Sequence, residues 1–201
     1  MRPTVAALAL LLTGCAVSDS TRYYMLVPLA TDGAAPAATA GATAPVVIGI
    51  GPVVIPSYLD RSQIVTRTGP DRVEISAFHR WAEPLDEAIA STLASDVAAL
   101  APADRVVAFP WRGAMARSLD YQVLVVVLRF DGAPGSDVML DARWRILGKD
   151  GREVLVRRST HTEATGGSGF GPMVTAMNRT LRALSQEIAR ALQARPAATP
   201  R

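Results

Sequence analysis

Tyr121-Gln122-Val123-Leu124-Val125-Val126-Val127-Leu128-Arg129-Phe130 is the stretch that decides the architecture. Val123 to Leu128 are six apolar residues in a row, mostly β-branched, and the run is too short for a typical buried helix. It predicts a central strand covered on both faces. Downstream, Val138, Leu140, Ala142, Trp144 and Ile146 alternate with Asp137, Met139, Asp141, Arg143 and Arg145, so Asp137 to Leu147 reads as a strand with one wet face. Lys149-Asp150-Gly151 then makes a hairpin turn into a strand over Arg152 to Thr162.

Helical periodicity flanks this β-rich segment. From Pro84 to Leu100 the apolar positions Leu85, Ile89, Leu93, Val97 and Leu100 fall on one helical face, and Pro84 suits a first turn. Pro172 to Leu192 carries Met173, Met177, Leu181, Leu184, Ile188 and Leu192 at the same spacing, with Arg179, Arg182, Gln186 and Arg190 opposite. Further strands are expected at Arg22 to Val27, at Val46 to Ile55 with a bend at Gly51-Pro52, and at Arg105 to Phe109. Gln63 to Thr66 and Arg72 to Ser76 flank a Gly69-Pro70-Asp71 turn and predict a hairpin. The expectation is an α/β fold, a single layered domain with a mixed β-sheet and two long amphipathic helices.

The composition excludes several classes. With 201 residues, 49% of them hydrophobic and a formal charge of only +3, the chain has a core to bury and is no disordered polymer. Every basic residue except Lys149 is arginine, there is no basic cluster, and aromatics are 5%. No nucleic-acid partner is expected from such a surface.

The N-terminus points to a membrane. Arg2 precedes the eight-residue apolar run Val5 to Leu12, and Leu12-Thr13-Gly14-Cys15 follows. Eight helical residues rise about 12 Å against a hydrocarbon core of roughly 30 Å, so the run does not span a bilayer. It reads as a secretory signal over residues 1–14 ending in a lipobox, whose small residues admit a peptidase and whose Cys15 thiol accepts a diacylglyceryl group. An ordinary signal with a coincidental cysteine is the alternative. Cys15 is the only cysteine, and acylation would remove the one free thiol from an oxidising compartment. Diacylglyceryl and N-acyl chains on Cys15 would be the only covalent additions, with no other cofactor. Several acyl chains would anchor the body durably, and Ala16, not aspartate, favours the outer over the inner membrane by sorting convention. The folded domain is expected over residues 15–195. Within it, residues 31–45, seven of them alanine and broken by Pro36, Gly41 and Pro45, read as a flexible loop; residues 196–201 read as a disordered tail.

Four stretches resemble the ABC-type transport auxiliary lipoprotein family, the PqiC/YmbA-like proteins. They are Tyr23-Tyr24-Met25-Leu26, Gly49-Ile50-Gly51-Pro52-Val53, Pro56-Ser57-Tyr58-Leu59-Asp60-Arg61-Ser62-Gln63-Ile64-Val65 and Arg80-Trp81-Ala82-Glu83-Pro84-Leu85. The resemblance covers essentially the whole mature chain. It implies a layered α/β fold and a periplasm-facing lipoprotein of a lipid-trafficking system that supports envelope integrity. It also implies work beside an MCE-domain protein, commonly with an ABC ATPase and permease. No catalytic residues come with it. A ring-forming partner would suit a homo-oligomer, but no residue counts subunits.

Candidate partner-binding residues are Tyr58, Leu59, Asp60, Arg61, Gln63 and Trp81. Tyr58 and Arg61 are of types enriched at interface hot spots. Alternatively Asp60 caps a turn, Arg61 pairs with a carboxylate, and Trp81 fills the core at the start of a helix. His161 and Glu163 share one strand face, but two ligands do not build a zinc site, so no metal is expected. There is no Gly-x-Ser-x-Gly elbow, and Gly166 to Gly171 lacks the Gly-Lys-Ser/Thr ending of a phosphate loop, so no enzyme is expected. Met173 and Met177 are core or an adaptable binding face. The leading function is a non-catalytic tethered adaptor; the alternative is a lipid carrier with an acyl-chain cavity.

Overall fold

A computed structural model describes residues 20–28, 46–101, 103 and 105–194. The expected signal peptide over residues 1–14, Cys15, the alanine-rich segment 31–45 and the expected tail 196–201 lie outside them. Among the described residues eight strands and three helices follow in chain order: β1 (Arg22–Tyr24), β2 (Val47–Val54), β3 (Gln63–Arg67), β4 (Val73–Trp81), α1 (Leu85–Leu100), β5 (Arg105–Ala108), α2 (Ala114–Arg117), β6 (Tyr121–Gly132), β7 (Asp137–Gly148), β8 (Glu153–Ala164) and α3 (Phe170–Gln193). The strands divide into two mixed sheets, β1-β4-β3 and β5-β2-β6-β7-β8. The expected hairpin around Gly69 forms as β3 and β4 but belongs to the smaller sheet, where β1 joins β4 in parallel.

In the larger sheet β6 holds the middle, parallel to β2 and antiparallel to β7. The bend read at Gly51-Pro52 is a register shift between Ile50 and Val53, with Gly51 at φ 113° and a cis peptide before Pro52. On β7 the alternation holds residue by residue: Val138, Leu140, Ala142, Trp144 and Ile146 are buried, while Asp137, Arg143 and Arg145 are exposed. Covering of β6 on both faces does not hold. Val123, Val125 and Val127 point into the core, but Leu124 is half-buried and Val126 is 42% exposed. Both long helices pack on the inner face, so β6 joins Val54 and Val156 in an uncovered apolar strip beside Arg143 and Arg145. An unbroken apolar run satisfies one covered face as well as two, which is why the sequence pattern misled here.

The long helices differ. α3 buries Met173, Met177, Leu181, Leu184 and Ile188 and turns Arg182 and Arg190 outward. α1 buries its expected face but also Thr92 and Asp96, leaving only the stripe Glu87, Ser91, Ser95 and Ala99 exposed. It is wedged between β2, β5 and α3, and Ser185 of α3 donates to the Asp96 carboxylate at 3.0 Å. One cluster of buried residues runs from Leu26, Ile64 and Trp81 under the small sheet through Phe130 and Trp144 to α3. The Trp144 indole donates to Ser159 at 2.9 Å, satisfying the one polar atom of the largest core residue.

Close backbone approach fixes the end of β6. A Cβ on Gly132 would lie 2.6 Å from the Asp137 carbonyl oxygen and 2.9 Å from Val138 Cα, both backbone atoms that cannot swing aside. Gly132→Ala should therefore cost about 1–3 kcal/mol in urea unfolding. Gly171→Ala, in the first turn of α3 with open space around it, should be neutral or gain up to about 1 kcal/mol. Equal effects would contradict this packing.

Candidate partner-binding site

The turn between β2 and β3 carries most of the candidate residues. Leu59 N–H donates to Pro56 C=O at 2.9 Å and Asp60 N–H to Ser57 C=O at 3.3 Å, closing a short turn. Ser62 C=O accepts from Trp81 N–H at 2.7 Å, and Tyr24 C=O accepts from Ala82 N–H at 2.9 Å. These bonds tie the turn and the N-terminal strand to the end of β4. Gln63 opens β3 opposite Arg80.

The six candidates separate by burial. Leu59 and Trp81 are 3% and 5% exposed and belong to the core, so neither has surface to offer a partner. Apolar bulk beside a turn reads the same in sequence whether it anchors the turn or projects from it. Tyr58 and Gln63 are half-buried; Asp60 and Arg61 are exposed and form no ion pair with each other or with other described residues. Among the described residues Asp60 makes no capping bond of the kind weighed for it, and Arg61 meets no carboxylate.

Beneath the turn lies a charge network that the sequence reading missed. Asp131 of β6 has no exposed surface, and its carboxylate accepts four hydrogen bonds. Arg67 Nε and Nη2 of β3 donate to it in a fork at 3.0 Å each, Arg129 Nε donates at 2.7 Å, and Tyr58 Oη at 2.8 Å. The Arg67 guanidinium also lies 5.9 Å from the centre of the Tyr58 ring. Burial alone would raise the Asp131 pKa, but the bonds from Arg67, Arg129 and Tyr58 outweigh it and hold the carboxyl below the usual aspartate value. Burial and the bond to Asp131 push the Tyr58 phenol up to about 12. A signal was available: Arg129-Phe130-Asp131 continues a buried strand, and a charge there must be paired.

The outcome is a braced turn. Tyr58 and Leu59 hold its backbone from below while Asp60 and Arg61 face solvent with opposite charges. A partner meeting such a surface gives up little loop entropy on binding. Elsewhere, His161 Nε2 lies 3.4 Å from Glu187 and Glu163 pairs with Arg179 at 3.0 Å, so both are engaged by α3 and not by each other. Glu187 also accepts from the Ser159 hydroxyl. The Gly166 turn packs on the β6–β7 connection through Gly135 N–H to Gly167 C=O at 2.9 Å. Met173 and Met177 are buried. Among the described residues no three metal-ligating side chains converge, and no helix is long and apolar enough to cross a membrane.

Residues 29–189 match the family described as ABC-type transport auxiliary lipoprotein component. The intermembrane transport lipoprotein PqiC of Escherichia coli strain K12 is 25% identical over 191 residues, 92% of this chain and 96% of the relative. PqiC of Shigella flexneri matches to the same extent. Two solved structures share the fold. An uncharacterized protein has a TM-score of 0.68 at 21% identity, covering 86% of this chain and 99% of that one. A Xanthomonas campestris protein has a TM-score of 0.65 at 14% identity, covering 86% and 95%.

The network sets a stability prediction. Asp131→Ala leaves two guanidinium groups and a phenol without their acceptor and should cost about 3–5 kcal/mol at neutral pH in urea unfolding. A carboxyl held below its unfolded value of about 3.9 stabilises above that pH and loses its contribution as pH falls through the folded value. The gap between wild type and variant should thus stay level down to about pH 4 and narrow below it. A gap indifferent to acid would contradict an ionised Asp131.

Proposed function

The chain belongs to the ABC-type transport auxiliary lipoprotein family, and on that premise we propose that it is a non-catalytic adaptor of an MCE-type lipid transport system that maintains the envelope. In this reading Cys15 carries diacylglyceryl and N-acyl chains, and the body hangs on the periplasmic face of the outer membrane. It docks an MCE-domain protein through the Asp60–Arg61 turn and Gln63. The observation that carries the reading is the match to an intermembrane transport lipoprotein along nearly the full length of both chains. The braced turn adds support, because it presents two exposed charged side chains on a backbone held from below. Tethering keeps the turn at high local concentration near envelope partners, so a weak contact suffices.

A carrier with an internal acyl cavity would need space between the larger sheet and its helices. Phe130, Trp144, Met173, Met177, Leu181 and Leu184 fill that layer, each at most 2% exposed. The adaptor is the better reading on that ground.

The test is crosslinking in intact envelopes from tagged full-length protein. Wild type should recover an MCE-domain component, and the doubly reversed variant Asp60→Arg with Arg61→Asp should recover at least tenfold less, about 1.4 kcal/mol of affinity. Recovery of no transporter component by the wild type would overturn the proposal.

A further inference from the structure

The N-terminal strand shows a one-sided apolar face that its own fold leaves uncovered. From Tyr23 to Val27 the chain alternates. Tyr24 and Leu26 turn inward, Tyr24 hydrogen-bonding His79 Nδ1 at 2.7 Å and Leu26 entering the core. Tyr23, Met25 and Val27 turn outward at 65%, 58% and 60% exposure. The neighbouring strand extends the same surface. Tyr23 stands opposite Arg80 in register, and Phe78, 44% exposed, precedes His79, whose ring turns to the inward Tyr24. The segment is firmly seated, since Val27 N–H donates to the Asn178 side chain of α3 at 3.1 Å.

We infer that this face, Tyr23, Met25, Val27 and Phe78 with the cation Arg80 beside it, rests on the phospholipid surface to which the chain is anchored. The inference rests on the lipid anchor proposed above for Cys15. The length of chain before the structure selects a bilayer as the occupant. Four residues separate Cys15 from Ser20, where the described chain begins, and the five steps between them reach at most roughly 17 Å. The strand that begins two residues later, at Arg22, is therefore held within a tether's length of the headgroups.

The chemistry suits that occupant. Contiguous exposed apolar side chains mark a contact surface on a folded protein. Tyrosine is at home at the headgroup level, with its ring in the apolar boundary and its hydroxyl in water. Arg80, half-buried and in register with Tyr23, places a cationic side chain beside this face, where it suits lipid phosphates. With the surface so close, a modest attraction suffices to orient the whole body on the membrane. The Asp60–Arg61 turn is joined to the same small sheet through Ser62 and Trp81, so its direction would be set as well.

Because Cys15 is the only cysteine and its sulfur is acylated in this reading, a single added cysteine can be labelled cleanly. Full-length lipidated Met25→Cys, Phe78→Cys and Val156→Cys would carry an environment-sensitive fluorophore in vesicles of phosphatidylethanolamine and phosphatidylglycerol. Val156 is as apolar and as exposed as Val27 but lies on the larger sheet, and so serves as the reference. The expected result is quenching by a nitroxide-bearing lipid severalfold stronger at positions 25 and 78 than at 156. Equal quenching at all three positions overturns the inference alone. So does shielding of 25 and 78 from aqueous iodide without lipid quenching, which would put protein on this face. Failure of the parent chain to float with vesicles overturns the anchor and the inference together.

Discussion

A carboxylate with no access to water holds the two halves of this fold in register. Asp131 belongs to the central strand of the larger sheet, Arg67 to the smaller sheet, and Tyr58 to the turn between β2 and β3. Their hydrogen bonds meet on two oxygens, so any shift of one sheet against the other breaks several charge-assisted bonds at once. Apolar packing tolerates small slides; a forked guanidinium on a buried carboxylate does not. The network therefore contributes position as much as stability, and the presented turn inherits that position.

The layering explains which surfaces remain open. Both long helices cover one face of the larger sheet, and α1 is enclosed so fully that it keeps only one narrow exposed stripe. The small sheet closes over the near end of the same core with Leu59, Ile64 and Trp81. What this arrangement leaves bare is the outer side of each sheet. On the larger sheet the bare side mixes valines with Arg143, Arg145 and the Arg158–Asp141 pair at 2.6 Å. On the smaller it is the tyrosine- and methionine-bearing strand nearest the proposed anchor.

Most of the fold was legible because periodicity reports which side of an element is buried. The alternation on β7, the spacing on α3 and the bend at Gly51 each follow from one residue pattern with one structural solution. Three features were not legible. Whether β6 is covered on one face or two depends on where the helices pack, which an apolar run does not encode. That the strands split into two sheets depends on pairing between distant segments, such as β1 with β4. Within the candidate site, residue types pointed to the turn but not to the division of labour inside it. Leu59 and Trp81 serve the core and Asp60 and Arg61 the surface, while Asp131, distant in sequence, falls just beyond the strand expected to end at Phe130, which in the structure runs on to Gly132.

Hydrogen exchange of individual amides in wild type and Asp131→Asn tests most directly whether this carboxylate positions the turn. The account predicts that Leu59 and Asp60 N–H, bonded to Pro56 and Ser57, lose protection in the variant while the amides of α3 keep theirs. Unchanged protection at both turn amides would contradict it, because the turn would then hold its shape without the carboxylate beneath it.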